Sequence, residues 1–392
     1  MPTLRGMTWK HDRGLAPMLA TASAFGKEHP EVVIQWEARS LREFGDASVQ
    51  ALADRYDLVV IDHPFMGEVA RQGCFLPLDE YISKAQLRDL EAESVGRSQQ
   101  NYCFEGHHWA LAIDAAAQVA GCRTDLLDRV GVGIPTTWRE VFELARIRRG
   151  FVSLALSPID ALICFFTLCA NSGAPPFTAC RNKVVPDDIG EYALECLQRF
   201  AQRSIEGALS ANPIAVWERM SSTDDIAYCP LAFGYSNYSR KGYRPSLISF
   251  GPIPSSKSSE PVGATLGGAG LAISKKCEHI ELAVDYALWV ASPECQRSLY
   301  HESGGQPSSR TAWLDEAANR ITNSFFTATL PVIENAWIRP RYAGFVEFQN
   351  AAAEVIGRFL KNDLPSLGTL RSLNELYRHS LCDKPATPGV TT

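Results

Sequence analysis

The segment Val262–Arg310 narrows the available folds more than any other part of the chain. A glycine pair, Gly267-Gly268, opens a short apolar strand at Leu271–Ser274. An amphipathic helix follows, a second helix starts at Ser292-Pro293-Glu294, and Gly304-Gly305 ends it. A strand that hands over at once to helices is the pattern of an α/β protein.

The same alternation runs through the rest of the sequence. Gly6–Trp9 and Val32–Glu37 are short strands on either side of a helix at Leu15–Glu28. Arg55–Asp62, RYDLVVID, carries four consecutive apolar residues and reads as a buried strand. Leu76–Ser83 reads as the start of a surface helix, and His108–Ile113 leads into Asp114. A new section begins near Ala115, with a strand at Gln118–Arg123 and a helix at Thr124–Val130. In IPTTWREVFELARI, Thr137 and Glu140 form a capping box ahead of an apolar stripe. Phe151–Leu156 is a further strand, which Ser157-Pro158-Ile159-Asp160 turns into a helix. Phe345, Phe348, Val355, Ile356 and Phe359 mark a long amphipathic helix late in the chain.

At 392 residues, 46% of them hydrophobic, the chain is long enough for two lobes with full cores. A net charge of −6 with scattered basic residues gives no surface suited to nucleic acid. The longest apolar run, Ala161–Ala170, falls short of the ~20 residues needed to cross a bilayer and reads as a buried helix. Met1–Lys10 enters the first strand without a basic and apolar leader, so either a leader was removed or the protein stays inside the cell. The eleven cysteines form no CxxC pair and sit mostly in apolar contexts, which a reducing compartment tolerates better. Nucleotide-binding glycine loops, HExxH and GxSxG are all missing. His107 and His108 alternate across a strand and cannot share one metal. The expectation is no metal and no cofactor.

Several fragments, taken in order, resemble the type II periplasmic solute-binding proteins, the family-1 extracellular solute-binding group that serves carbohydrate ABC importers. They are the strand DLVVID, the segments GCFLPLDEYI and IPTTWREV, and the terminal SPECQ and GGQP. The resemblance spans about residues 4–380. It implies an α/β, two-lobed fold, each lobe a mixed sheet flanked by helices, with hinge crossovers between them. Lobe one would be 1–114 plus 263–314, and lobe two 115–262 plus 315–392. It also implies a monomer that binds a carbohydrate, polyol or sugar acid, presents both lobes to ABC permease subunits, and catalyses nothing. By location it points to the periplasm.

In open α/β sheets ligands bind beyond the carboxyl ends of strands. In a two-lobed binder those ends face each other across a cleft. Trp9 and His11 follow the first strand, and Asp62 and His63 follow DLVVID. Trp109 and Asp114 lie at the first crossing. Ser157, Asp160, Tyr235 and Tyr238 belong to lobe-two turns, Gly267 and Gly268 to the return, and Trp337 and Arg339 to the last element. Aromatic faces stack on sugar rings, carboxylates accept hydroxyl hydrogens, and arginine offers a fork. Each residue has a plainer reading: Trp9 as core, Asp62-His63 as an Asx turn, and Gly267-Gly268 as a tight turn. Two other functions stay open. One is an enzyme on the same scaffold, thiaminase-like, for which Cys103, Cys122 and Cys229 lie nearest the cleft loops. The other is an intracellular ligand sensor.

Overall fold

The computed structural model describes residues 1–40, 48–178, 182–255 and 262–382. Nine strands run β1 (Thr3–Trp9), β2 (Val33–Arg39), β3 (Leu58–Ile61), β4 (Cys103–Phe104), β5 (His107–His108), β6 (Leu111–Cys122), β7 (Tyr228–Phe233), β8 (Ser249–Gly251) and β9 (Leu266–Ile273) among the described residues. Seven of them form one sheet in the order β2-β1-β3-β9-β6-β7, with β8 also on β6. β1 pairs in parallel with β2 and β3, whereas β9 runs antiparallel to both β3 and β6. The α/β class and mixed sheet expected from the sequence are what the chain adopts.

Core membership shows where one lobe gives way to the other. In β3, Leu58 and Val60 join one apolar cluster and Val59 and Ile61 another, so the lobe-one sheet is covered on both faces. Along β6, Leu111 and Ile113 pack in lobe one, while Ala115, Ala117 and Val119 pack in the lobe-two core. The changeover falls at Asp114. Along β9, Leu266 belongs to the lobe-two core and Ala269 and Leu271 to lobe one, so this strand crosses at Gly267-Gly268. A third passage lies between Tyr300 and Trp313, where Ala115 N–H donates to the Gln306 carbonyl.

Four sequence expectations change. Gly267-Gly268 does not make a turn ahead of a strand but lies inside β9. Gly268, paired with Ala115 just beyond a register shift at Ala112/Asp114, has φ +117°, and a Cβ there would come within 2.3 Å of the Asp114 carbonyl oxygen, so the strand passes only without a side chain. Gln118–Arg123 is not a separate strand. It continues β6, whose small alanines let twelve residues run buried from one lobe into the other. Phe151–Leu156 makes only an isolated bridge, Val152 to Tyr228, because its backbone bonds divide between Tyr228 and Ala208. Leu76–Ser83 gives only a short 3-10 turn, Leu78–Glu80. The helix starts at Lys84, where Ser83 and Gln86 complete a capping box. The expected box of Thr137 and Glu140 forms at helix Trp138–Ile147, and Phe345–Leu360 is the long late helix.

Candidate functional site

The end of β1 enters helix Asp12–Glu28 through His11, whose ring Nδ1 accepts the Arg13 backbone N–H at 3.0 Å. This cap fixes the tautomer. With Nδ1 accepting, Nε2 carries the hydrogen and points at the Tyr238 hydroxyl 3.4 Å away. Tyr238 in turn donates to Glu218 Oε1 at 2.8 Å. Burial, reinforced by Arg13, lowers the His11 pKa to about 4, so the ring is neutral at pH 7. Next to it, Asp12 accepts from the Tyr243 hydroxyl at 2.9 Å, and Arg244 forks onto Glu218. Loops of lobe two therefore hold the N-cap of a lobe-one helix.

Arg13 is the centre of this contact. Its Nε and Nη2 bind the two Asp114 oxygens at 2.8 and 2.5 Å, and Nη1 donates to the Gly234 carbonyl at 2.7 Å. The guanidinium carbon lies 4.5 Å from the centroid of the Tyr235 ring. Arg13 is 3% exposed and Asp114 1%. Burial pushes the Asp114 carboxyl upward more than Arg13 pulls it down. Trp9 completes the cluster, hydrogen-bonded to Tyr235 and packed against Gly14, which leaves room for the indole.

A second cluster joins the end of β3 to the late segment. Asp62 accepts the His63 N–H at 2.8 Å and Arg339 Nη2 at 2.9 Å, while Arg339 Nη1 reaches Gln349. Burial alone would raise the Asp62 pKa, but Arg339 and His63 hold it well below the usual carboxylate range. His63 is fully buried. Burial and the charge of Arg339 lower its pKa to about 4. Asp160, at the start of helix Pro158–Asn171, accepts the Ser157 hydroxyl at 2.5 Å and is pushed up to about 7 by burial. It lies within electrostatic reach of Tyr235.

The structure thus gathers Trp9, His11, Asp114, Tyr235 and Tyr238 into one cluster, places Asp160 near it, and joins Asp62, His63 and Arg339 in a second. Trp109 sits in the lobe-one core with its indole N–H on the Phe104 carbonyl. Trp337 packs on Phe166 and Phe177 and bridges by its backbone to Ala264 and Leu266. Gly267 and Gly268 form the β9 crossing. Arg13, Glu218, Tyr243 and Arg244 were not among the expected site residues. Arg13 carried a signal, the polar run His11-Asp12-Arg13 directly after a strand. Glu218 carried none, because it lies within helix Pro213–Ser222 and acts only through a loop distant in sequence.

Two lobes on one continuous sheet, crossed three times by the chain and facing each other through polar loops, define the type II solute-binding fold. Residues 10–148 match the family model described as bacterial extracellular solute-binding protein. The whole chain is similar to the maltose-bound MalE3 of T. maritima, with TM-score 0.85 at 17% identity, covering 97% of this chain and 100% of that one. It is similar to the GacH receptor of Streptomyces glaucescens GLA.O, solved unliganded and with acarbose, with TM-score 0.82 at 16% identity over 98% and 99% of the two chains. The ribitol complex of an ABC transporter solute-binding protein from Agrobacterium radiobacter K84 gives 0.78 at 18% identity, over 97% and 98%.

Proposed function

We propose that the chain binds a small hydroxylated solute, a sugar or polyol, between its lobes as the binding component of an ABC importer, and releases it unchanged. By core membership the lobes divide at Asp114, at Gly267-Gly268 and between Tyr300 and Trp313, a few residues from the expected division into 1–114 plus 263–314 and 115–262 plus 315–392. They close about Asp114 and Gly267-Gly268 by hinge motion. One observation carries the reading. Side chains from both lobes converge beyond the strand ends, with Arg13 and Asp114 meeting Gly234 and Tyr235, and Asp62 meeting Arg339. Maltose, acarbose and ribitol, the ligands named for the similar structures, support that ligand class. The arginines at these contacts are matched by carboxylates, Arg13 by Asp114, Arg244 by Glu218 and Arg339 by Asp62, which favours an uncharged solute over a sugar acid.

An enzyme using a cleft cysteine finds no support in the thiols. Burial pushes Cys122 and Cys229 up to about 12 and raises Cys103 as well, opposite to the shift an activated thiolate needs. Thermal shift against neutral sugars, alditols and sugar acids tests the proposal. A saturable rise in Tm with at least one neutral compound is expected, since ligand binds only the folded state. A protein that responds to none of them, or that turns one over, refutes it.

A further inference from the structure

The functional reading leaves open which groups recognise the solute. We infer that the Tyr102 hydroxyl and Arg339 Nε form a donor subsite that grips one hydroxyl of the bound sugar or polyol between Asp62 and Asp114, making Tyr102 a specificity-determining residue. This inference rests on the proposed function and adds to it.

The sheet fixes the position. The Tyr102 ring packs against Gly270 of β9, where a Cβ would come within 2.8 Å of the ring carbon Cε1. Gly270 pairs with Ile61 of β3 on one side and with Ala112 of β6 on the other. Asp62 follows Ile61, and Asp114 lies two residues beyond Ala112. Strands are spaced ~4.8 Å apart, so the ring lies on the middle one of three strands, with Asp62 at the end of one neighbour and Asp114 on the other. Burial raises the Tyr102 pKa well above the usual phenol value. Asp62 and Asp114 add to the rise and Arg339 opposes it, so all these charges reach the same ring.

The hydrogen-bond count then points to a guest. Tyr102 is 1% exposed, yet its hydroxyl has no partner among the described residues, and neither does Arg339 Nε. Tyrosine hydroxyls at the lobe contact are bonded, Tyr238 to Glu218 and Tyr243 to Asp12. Asp62 and Asp114 already accept from Arg339, His63 and Arg13, so their carboxylates do not need the phenol. A buried donor without an acceptor costs stability. A ligand hydroxyl resolves this in both directions. It accepts from Tyr102 and Arg339 and donates its own hydrogen to a spare carboxylate lone pair.

The test is Tyr102→Phe, which removes one oxygen and keeps the ring on Gly270. Calorimetric titrations use maltose, ribitol, D-mannitol and D-tagatose as probes. For any probe that the wild-type protein binds, affinity should fall about tenfold or more. The ligand-free Tm should stay level or rise, because the unpaired hydroxyl is gone. Unchanged affinity overturns the inference and leaves the functional reading standing. A fall in ligand-free Tm of several degrees also overturns it, since the hydroxyl would then be bonded within the fold. If the wild-type protein binds no hydroxylated solute, the functional reading fails with the inference. The ligand-free Tm still decides whether the hydroxyl is unsatisfied.

Discussion

Breaking the Arg13–Asp114 pair tests whether the lobes meet as described. Asp114→Leu strands a guanidinium that is 3% exposed and cannot shed its charge. Removing one member of a buried pair costs about 3–5 kcal/mol. Arg13 keeps the Gly234 carbonyl and the Tyr235 face, which together offset roughly 1 kcal/mol, so a loss near ~3 kcal/mol is expected. Arg13→Met should cost less. Its stranded partner, already pushed upward by burial, can take a proton. The native state then holds that proton to higher pH than the unfolded chain, so the deficit of Arg13→Met shrinks as pH falls through the raised Asp114 pKa. The deficit of Asp114→Leu does not shrink there, because the wild type gains stability from the same proton and the variant has lost the group that takes it. The double variant Arg13→Met/Asp114→Leu removes both charges at once and should lie within about 1 kcal/mol of wild type. Urea denaturation followed by tryptophan fluorescence measures all three, with m-values compared to check that the transition is unchanged. Additive single losses in the double variant would sink the claim of a buried, coupled pair, as would singles costing under ~1 kcal/mol.

Two further perturbations address the rim and the hinge. Asp160 holds its proton to about pH 7 in the native state, whereas an unfolded aspartate releases it near 4. Wild-type stability should therefore decline as pH rises across that window. Asp160→Asn should be more stable by roughly 2–4 kcal/mol above pH 7 and equal to wild type below about pH 4. A gap in Tm independent of pH contradicts this. Gly268→Ala places a Cβ 2.3 Å from the Asp114 carbonyl oxygen at φ +117°, so a loss of at least ~2 kcal/mol in urea is expected. A loss under ~0.5 kcal/mol would show that the crossing is not tight.

Elements that depend on local chemistry could be read from the sequence. DLVVID gave a buried strand because four apolar residues can be covered on both faces only inside a sheet. Thr137 and Glu140 gave a helix start because the cap is completed within one turn. The departures came where tertiary contacts decide. Gly267-Gly268 has the composition of a turn, and only the antiparallel partner β6 makes it a strand interior with one left-handed residue. Phe151–Leu156 has the composition of a strand, yet its hydrogen bonds go to two separate segments.

The candidate site divides along the same line. His11 and Asp62 could be named from the sequence as residues following strands, and Asp114 as a residue of the first crossing. Which partner each would take could not be. Arg13 reaches Asp114 across 101 residues of chain, and Arg339 reaches Asp62 across 277. A residue's charge is visible in the sequence, but whether that charge is free or already matched is not. That distinction bears on ligand class. Read singly, Arg339 and His11 left room for an acidic solute. Arg339 is bound to Asp62, and burial keeps the His11 ring neutral at pH 7, so neither offers a free cation to a carboxylate. Aromatic residues pose a related difficulty. An indole suits a sugar face and a core equally well, and only packing assigns Trp9 to the cluster of Arg13 and Tyr235 and Trp337 to the lobe-two aromatic core. Tyr102 is the converse case. Its neighbours in sequence, Gln99-Gln100-Asn101 before it and Glu105-Gly106-His107 after it, are polar and carry no signal for it, and it stands out only because the fold buries its hydroxyl without giving it an acceptor among the described residues.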